Sequence, residues 1–205
     1  TSIHEDGSFK ETDPTSPINP YGRTKVMCEK IIQDYATTYG INYTNLRLFN
    51  VAGSNNGKFG YQKDPLKHVL PILVQAGLLG ETFTINGNDY PTADGTAVRD
   101  YTHVVDVAKA FHNTAYFMLD TSLSGTINIG NNNPASLLEL IAEVEAQLEK
   151  PIHTLVTQGR AGDMVQTHAD ITVADTVLGW KPELSTADIV ADEIRWQKTK
   201  LKKYL

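Results

Sequence analysis

The stretch Asn19-Pro20-Tyr21-Gly22-Arg23-Thr24-Lys25-Val26-Met27-Cys28-Glu29-Lys30-Ile31-Ile32 decides how this chain is read. Pro20 suits the first turn of a helix, where its missing N–H would be unpaired anyway. Asn19 before it is a natural N-cap. Apolar residues then recur at helical spacing through Val26, Met27, Ile31 and Ile32, which predicts a helix from Pro20 to Tyr39, closed by Gly40. Tyr21 and Lys25 fall one turn apart on one face of it. A free Tyr ionises near ~10. An ammonium one turn away and the positive end of the helix both favour the phenolate. A Tyr so placed can take a proton from a sugar or alcohol hydroxyl and return it. The chain has nine Tyr, so the spacing alone equally fits a surface helix with an incidental pair. The full string Pro-Tyr-Gly-x-Thr-Lys at a helix start is far more specific.

On either side of this helix the pattern is that of an α/β protein. Residues 1–18 are polar and rich in turn formers, with no periodic segment. Ile41–Val51 reads as one strand, so helix, link and strand form the second half of a β-α-β unit. Residues 52–64 read as a long loop. Leu66–Ala76 is predicted as a helix and Thr82–Ile85 as a strand. A turn-rich loop leads to a helix over Asp106–Leu119, with Val107, Ala108, Ala110, Phe111 and Ala115 expected inward. Thr126–Gly130 is a strand. Ser136–Leu148 is a helix in which Ser136 and Glu139 make a capping-box pattern. Ile152–Thr157 is a strand, and Thr172–Leu178 and Ser185–Leu201 are helices. Trp180 and Trp196 are expected in one C-terminal packing cluster with Gly179 and Pro182.

Composition narrows the chemistry. The 205 residues are 40% hydrophobic and 20% charged, with a net charge of −6, ordinary values for a globular protein. No basic block appears, which argues against a nucleic-acid partner. No apolar run is long enough for a membrane helix. The single Cys28 makes no internal disulfide, so a reducing, cytoplasmic setting is expected, with the thiol read as small helix packing. The six His show no metal-ligand spacing, so no metal is expected.

Farther on stands Asp94-Gly95-Thr96-x-x-Arg99-Asp100-Tyr101-x-His103-Val104-x-Asp106. With Leu46-Arg47-Leu48-Phe49-Asn50-Val51-Ala52-Gly53 and the Tyr helix, it resembles the extended short-chain dehydrogenase/reductase family, most of all its members that interconvert UDP-glucose and UDP-galactose. The resemblance runs from about Glu11 to Trp196. It implies the C-terminal part of a Rossmann-like doubly wound sheet plus a smaller α/β substrate-binding domain. Residues 1–51 would close the NAD-binding domain and 52–205 would be mainly the substrate domain, with 100–130 partly returning to the sheet. The family's Gly-x-x-Gly-x-x-Gly loop, which cradles the NAD pyrophosphate, does not occur in these 205 residues. Its catalytic Ser/Thr would fall at or before Thr1. The expectation is therefore a C-terminal segment, inactive alone, of an enzyme that is a homodimer when complete.

By matching position, the resemblance makes Tyr21 the general base and acid, and Lys25 the partner that holds the nicotinamide ribose. Phe49 would flank the nicotinamide of NAD. Asn50 would bond the diphosphate of a UDP-sugar, and His68 and Val69 would touch the nucleotide. Thr84 and Asn86 would hold uracil, largely through their backbone; Asn86 stands where the family usually has an aromatic residue. Arg99 would be the main diphosphate clamp, with an ion pair to Asp94 or Asp100 as its structural alternative. Arg160 and Asp163 would reach the far phosphate and the ribose. Thr167 falls where the family has a larger or smaller side chain facing the sugar. His103 is read as a structural hydrogen-bonding residue. The implied reaction is 4-epimerisation through a transient 4-keto sugar. A 4,6-dehydratase, a decarboxylase or a non-catalytic nucleotide-binding remnant are the alternatives.

Overall fold

Asn19 and Gly40 set the limits of the first helix. The Asn19 side chain accepts the Gly22 N–H at 2.8 Å, and Gly40 turns left-handed at φ 66, so α1 spans Pro20–Tyr39. The computed structural model describes residues 4, 7–122, 124–159 and 162–202. The chain next forms β1 (Thr44–Leu48), which pairs in parallel with β6 (Gly125–Ile129). It then changes partner. The Phe49 N–H still donates to Ile129 O at 3.2 Å, whereas the Asn50 N–H donates to Asp100 O at 2.9 Å. β2 (Asn50–Ala52) therefore pairs with β5 (Tyr101–His103), and the single strand expected over 41–51 is two strands that divide at Phe49.

Two further pairings build the second half. β3 (Phe83–Asn86) runs parallel to β8 (Thr154–Thr157). β4 (Val98–Arg99) lies between β7 (Ala135–Ser136), antiparallel, and β9 (Gln166–Thr167), parallel. Three of these short strands escape the sequence pattern, because two residues show no alternation.

The apolar residues gather in two cores. One joins α2 (Val69–Leu79), β3, α4 (Leu137–Leu148) and α6 (Thr186–Leu201) through Leu70, Leu73, Phe83, Leu140, Val144 and Ile189. The other joins α3 (Val104–Asp120), β6 and α5 (Thr172–Leu178) through Val107, Ala110, Ile127, Ala174 and Trp180. The two Trp thus serve different places. The Trp180 indole N–H donates to Asp106 O, while that of Trp196 donates to Tyr61 O and its ring lies over Gly60. α2 begins at Val69 rather than Leu66. On α3 the inward stripe is Asp106, Val107, Ala110 and Thr114, so Ala108, Phe111 and Ala115 point outward, contrary to expectation. The Ser136 capping box forms with both of its bonds, and Ser185 with Asp188 makes a second one.

α1 differs from the other helices. None of its residues is buried, and Met27, Ile31 and Tyr35 are each more than half exposed. Cys28 is exposed as well, so it does not pack as expected. The helix is tied to β1 by a two-pronged ion pair, with Arg47 Nε and Nη2 donating to Glu29 at 2.8 and 2.7 Å. Residues 7–13 are also more ordered than their composition suggests. Phe9 bridges Ala169, and Glu11 accepts the Asn128 N–H at 2.8 Å. Among the described residues no helix is long and apolar enough to cross a membrane.

One carboxyl lies inside the first core region. Glu193 is 1% exposed; burial pushes it up to about 7, although the Gln197 amide donating at 2.7 Å draws it back. A carboxyl raised on folding adds stability below its unfolded value of 4.5 and loses it as pH rises through about 7. The unfolding free energy should accordingly fall by roughly 2–3 kcal/mol between pH 5 and 8 relative to Glu193→Gln. Urea unfolding of both proteins across that range measures the difference; parallel curves would contradict it.

Candidate functional site

Buried Asp100 is the point from which the site is assembled. Its carboxylate accepts three backbone N–H groups, from Asn131 at 2.6 Å, Asn132 at 3.2 Å and Ala169 at 3.0 Å. Burial pushes this carboxyl up, and the three donors pull it back down. Gly130 makes the approach possible. A Cβ there would come within 2.3 Å of the Ala169 Cβ and 2.6 Å of Asp100 Oδ2. The carboxylate thus draws the turn after β6 and the segment after β9 onto the β4–β5 junction.

The consequence is a defined neighbour for Arg99. It is the register partner of Thr167 across the β4–β9 pair. Its Nη1 donates to Val98 O at 2.8 Å and Val165 O at 3.4 Å. Both proposed acid partners are engaged elsewhere: Asp94 accepts from Thr96 and Ser136, and Asp100 from the backbone groups named above. The ion-pair alternative for Arg99 therefore fails. Two carbonyls aim the guanidinium, and its remaining donors stay available for planar oxyanions. The Thr167 hydroxyl beside it is enclosed without a hydrogen-bond partner.

β3 has an open edge. Phe83 and Gly87 donate their N–H groups to His153 O and Thr157 O, each at 2.8 Å, across the β3–β8 pair. In a parallel pair alternate residues face the partner. The N–H and C=O groups of Thr84 and Asn86 consequently point to the other edge, which carries no strand among the described residues. Such an edge offers donors and acceptors in the spacing that a planar imide presents. Val69 opens α2 and packs against the same core as β3. His68 is the N-cap position, exposed, with no side-chain cap bond; its ring meets Tyr61 edge-on at 4.8 Å.

Phe49, half-buried, and Asn50, exposed, stand where β1 passes to β2, and the Asn50 N–H bond to Asp100 O fixes that step beside Arg99. Tyr21 is 71% exposed, with the Lys25 ammonium 5.3 Å from its ring centroid. The pair shares one face of α1 as the spacing predicts, on the helix that buries nothing. Asp163 is exposed, and Arg160 lies outside the described residues. His103 caps α3, its Nδ1 accepting the Val105 N–H at 3.1 Å, and its Nε2 lies 3.3 Å from Asp192. Sequence reasoning missed Asp100 as an organising group, although Gly130-Asn131-Asn132 downstream was a signal for a turn needing an acceptor.

A family model described as "NAD dependent epimerase/dehydratase family" matches residues 2–130. The chain is 40% identical over 197 residues to the UDP-glucose 4-epimerase of Lactobacillus helveticus, covering 95% of this chain and 60% of that protein. It is 36% identical over 193 residues to the UDP-glucose 4-epimerase of Halalkalibacterium halodurans, covering 93% and 58%. Among solved structures it is similar to the UDP-glucose 4-epimerase of Stenotrophomonas maltophila with bound NAD and formylated UDP-arabinopyranose, with a TM-score of 0.91 and 32% identity over 98% of this chain and 61% of that one. The chain thus spans about three fifths of the length of these relatives.

If Asp100 organises the site, removing its acceptors should unfold it. Asp100→Asn replaces one carboxylate oxygen by an NH2, which faces one N–H donor in the Oδ1 place and two in the Oδ2 place. Unfolding free energy should drop by roughly 2–4 kcal/mol, since each orphaned buried donor costs about 1–3. Urea titration tests this, and a wild-type midpoint would contradict it.

Proposed function

We propose, since the chain belongs to the NAD dependent epimerase/dehydratase family, that it is the substrate-binding rear of an NAD-dependent UDP-hexose 4-epimerase. The observation that carries this reading is Arg99: an arginine aimed by two carbonyls, without a carboxylate, next to the enclosed hydroxyl of Thr167. A nucleoside diphosphate supplies the paired anionic oxygens that such a guanidinium lacks. Uracil presents acceptor, donor and acceptor along one side, which suits the free backbone of Thr84 and Asn86. Asn50 joins Arg99 at the diphosphate, and His68, Val69, Arg160 and Asp163 close around the nucleotide. Residues 1–51 belong with the cofactor part, and 52–205 mainly with the substrate part.

Tyr21, Lys25 and Phe49 fit the nicotinamide end of NAD. A phenol and an ammonium on one exposed helix face, with an aromatic ring at the neighbouring strand end, match a ribose and a flat ring. When bound, NAD takes a hydride from C4 of the sugar and returns it. Tyr21 takes the 4-hydroxyl proton as hydride leaves and gives it back afterwards. Lys25, its ammonium 5.3 Å from the centroid of the phenol ring, holds the nicotinamide ribose beside it. The Arg99 grip keeps the diphosphate fixed while the 4-keto sugar turns over, which is what inversion at C4 requires. The exposed apolar face of α1 is where the cofactor part and a second subunit would pack.

Two outcomes follow. The 205-residue chain should bind UDP, fail to bind NAD and fail to epimerise UDP-galactose. Arg99→Ala should weaken UDP roughly 10- to 100-fold, the scale of a lost charge-assisted bond, with the fold kept. Isothermal titration decides this, and unchanged UDP affinity would remove Arg99 from the site. The second outcome concerns the sugar. Thr is much smaller than Tyr and its hydroxyl has no partner that a 2-acetamido group would displace, so the complete enzyme should turn over UDP-N-acetylglucosamine as well as UDP-glucose. Thr167→Tyr should abolish the first activity and spare the second, because overfilling penalises the larger ligand. Loss of both in Thr167→Tyr, or no N-acetylated turnover by the wild type, would contradict the assignment.

A further inference from the structure

Tyr90 lies in the chain between β3 and β4. Its ring and hydroxyl lie against two glycines. A Cβ built on Gly87 would come within 2.8 Å of Tyr90 Cε2, and one built on Gly159 within 3.1 Å of its hydroxyl oxygen. Gly87 follows Asn86 directly at the end of β3, and Gly159 stands beyond the end of β8. A side chain at Gly87 would collide with the ring, and one at Gly159 would press on its hydroxyl. The backbone is fixed too: the Tyr90 N–H donates to Gly95 O at 2.9 Å, inside the turn that joins β3 to β4.

The hydroxyls around it are paired and its own is not. Thr92 Oγ1 donates to Thr96 O at 2.7 Å, and Thr96 Oγ1 donates to Asp94 at the same distance. The Tyr90 hydroxyl oxygen is enclosed with no hydrogen-bond partner. An enclosed, unpaired hydroxyl is unfavourable, and here it occurs on a ring that two glycines make room for. The position in the chain points to a partner. β3 offers the base-sized edge and β4 carries Arg99; the sugar that joins a base to a diphosphate must lie between them.

We propose that Tyr90 is a further nucleotide-binding residue, its phenolic hydroxyl bonding a ribose hydroxyl of a uridine diphosphate moiety. This rests on the reading of Arg99 and the β3 edge as the nucleotide site. A phenol both donates and accepts, as a ribose hydroxyl does, so the pairing leaves neither group unsatisfied.

Tyr90→Phe keeps the ring on its glycines and removes only the oxygen. In the full chain it should leave the Tm of the free protein at or above wild type, because no bond is lost. It should weaken UDP roughly 3- to 10-fold, the scale of one neutral hydrogen bond, and shrink the UDP-induced rise in Tm. Wild type should discriminate by the same factor against either 2′-deoxy-UDP or 3′-deoxy-UDP, and Tyr90→Phe should lose that discrimination. Equal UDP affinity in the two proteins, or discrimination retained in Tyr90→Phe, overturns the role of Tyr90 alone. A lower Tm of free Tyr90→Phe also overturns it, since the hydroxyl would then already hold a structural bond. Failure of the wild type to bind UDP overturns the nucleotide-site reading and this inference together.

Discussion

A single buried carboxylate holds three distant segments in register. Asp100 accepts N–H groups from residues 131, 132 and 169, so residues far apart in sequence meet at one point. The ends of β4 and β9 are too short to align themselves through many ladder bonds. Their alignment comes from this side chain, and with it the adjacency of Arg99 and Thr167. Desolvating a carboxylate opposes folding. Three donors offset that penalty, and their directions also specify where each segment must lie. The same residue's backbone carbonyl receives Asn50, which joins the β1–β2 step to the arrangement.

The surfaces left open are as informative as the bonds that are made. The free side of β3 and the unpaired donors of Arg99 both face outward with their hydrogen-bonding capacity unused. A long exposed apolar stripe on α1 carries Tyr21 at its start. An aromatic and aliphatic face of this kind is unusual on a finished surface. Open hydrogen-bonding capacity thus lies on β3 and Arg99, while the Tyr21–Lys25 pair stands on a helix with an exposed apolar face.

Legibility in the sequence followed the range of the physics. α1 was readable to the residue because its signals are local: an N-cap, a proline at the first turn and a left-handed glycine. The Ser136 capping box was readable for the same reason. The division at Phe49 was not, because which strand Asn50 pairs with depends on Asp100, fifty residues away. The inward face of α3 was misjudged at Phe111 and Ala115 for a similar reason. Hydrophobicity marks candidates, but the elements that α3 packs against select Val107, Ala110 and Thr114. At the site, residue types were legible and their freedom was not. Whether Arg99 pairs with Asp94 depends on Ser136 and Thr96 having engaged that carboxylate first.

A crystal structure of the chain grown with UDP would test the central claim most directly. The account predicts the diphosphate against Arg99, with guanidinium-to-oxygen distances of ~2.8 Å, and the uracil imide paired with the backbone of Thr84 and Asn86. UDP bound elsewhere, or Arg99 turned away to a carboxylate with the β3 edge empty, would contradict it.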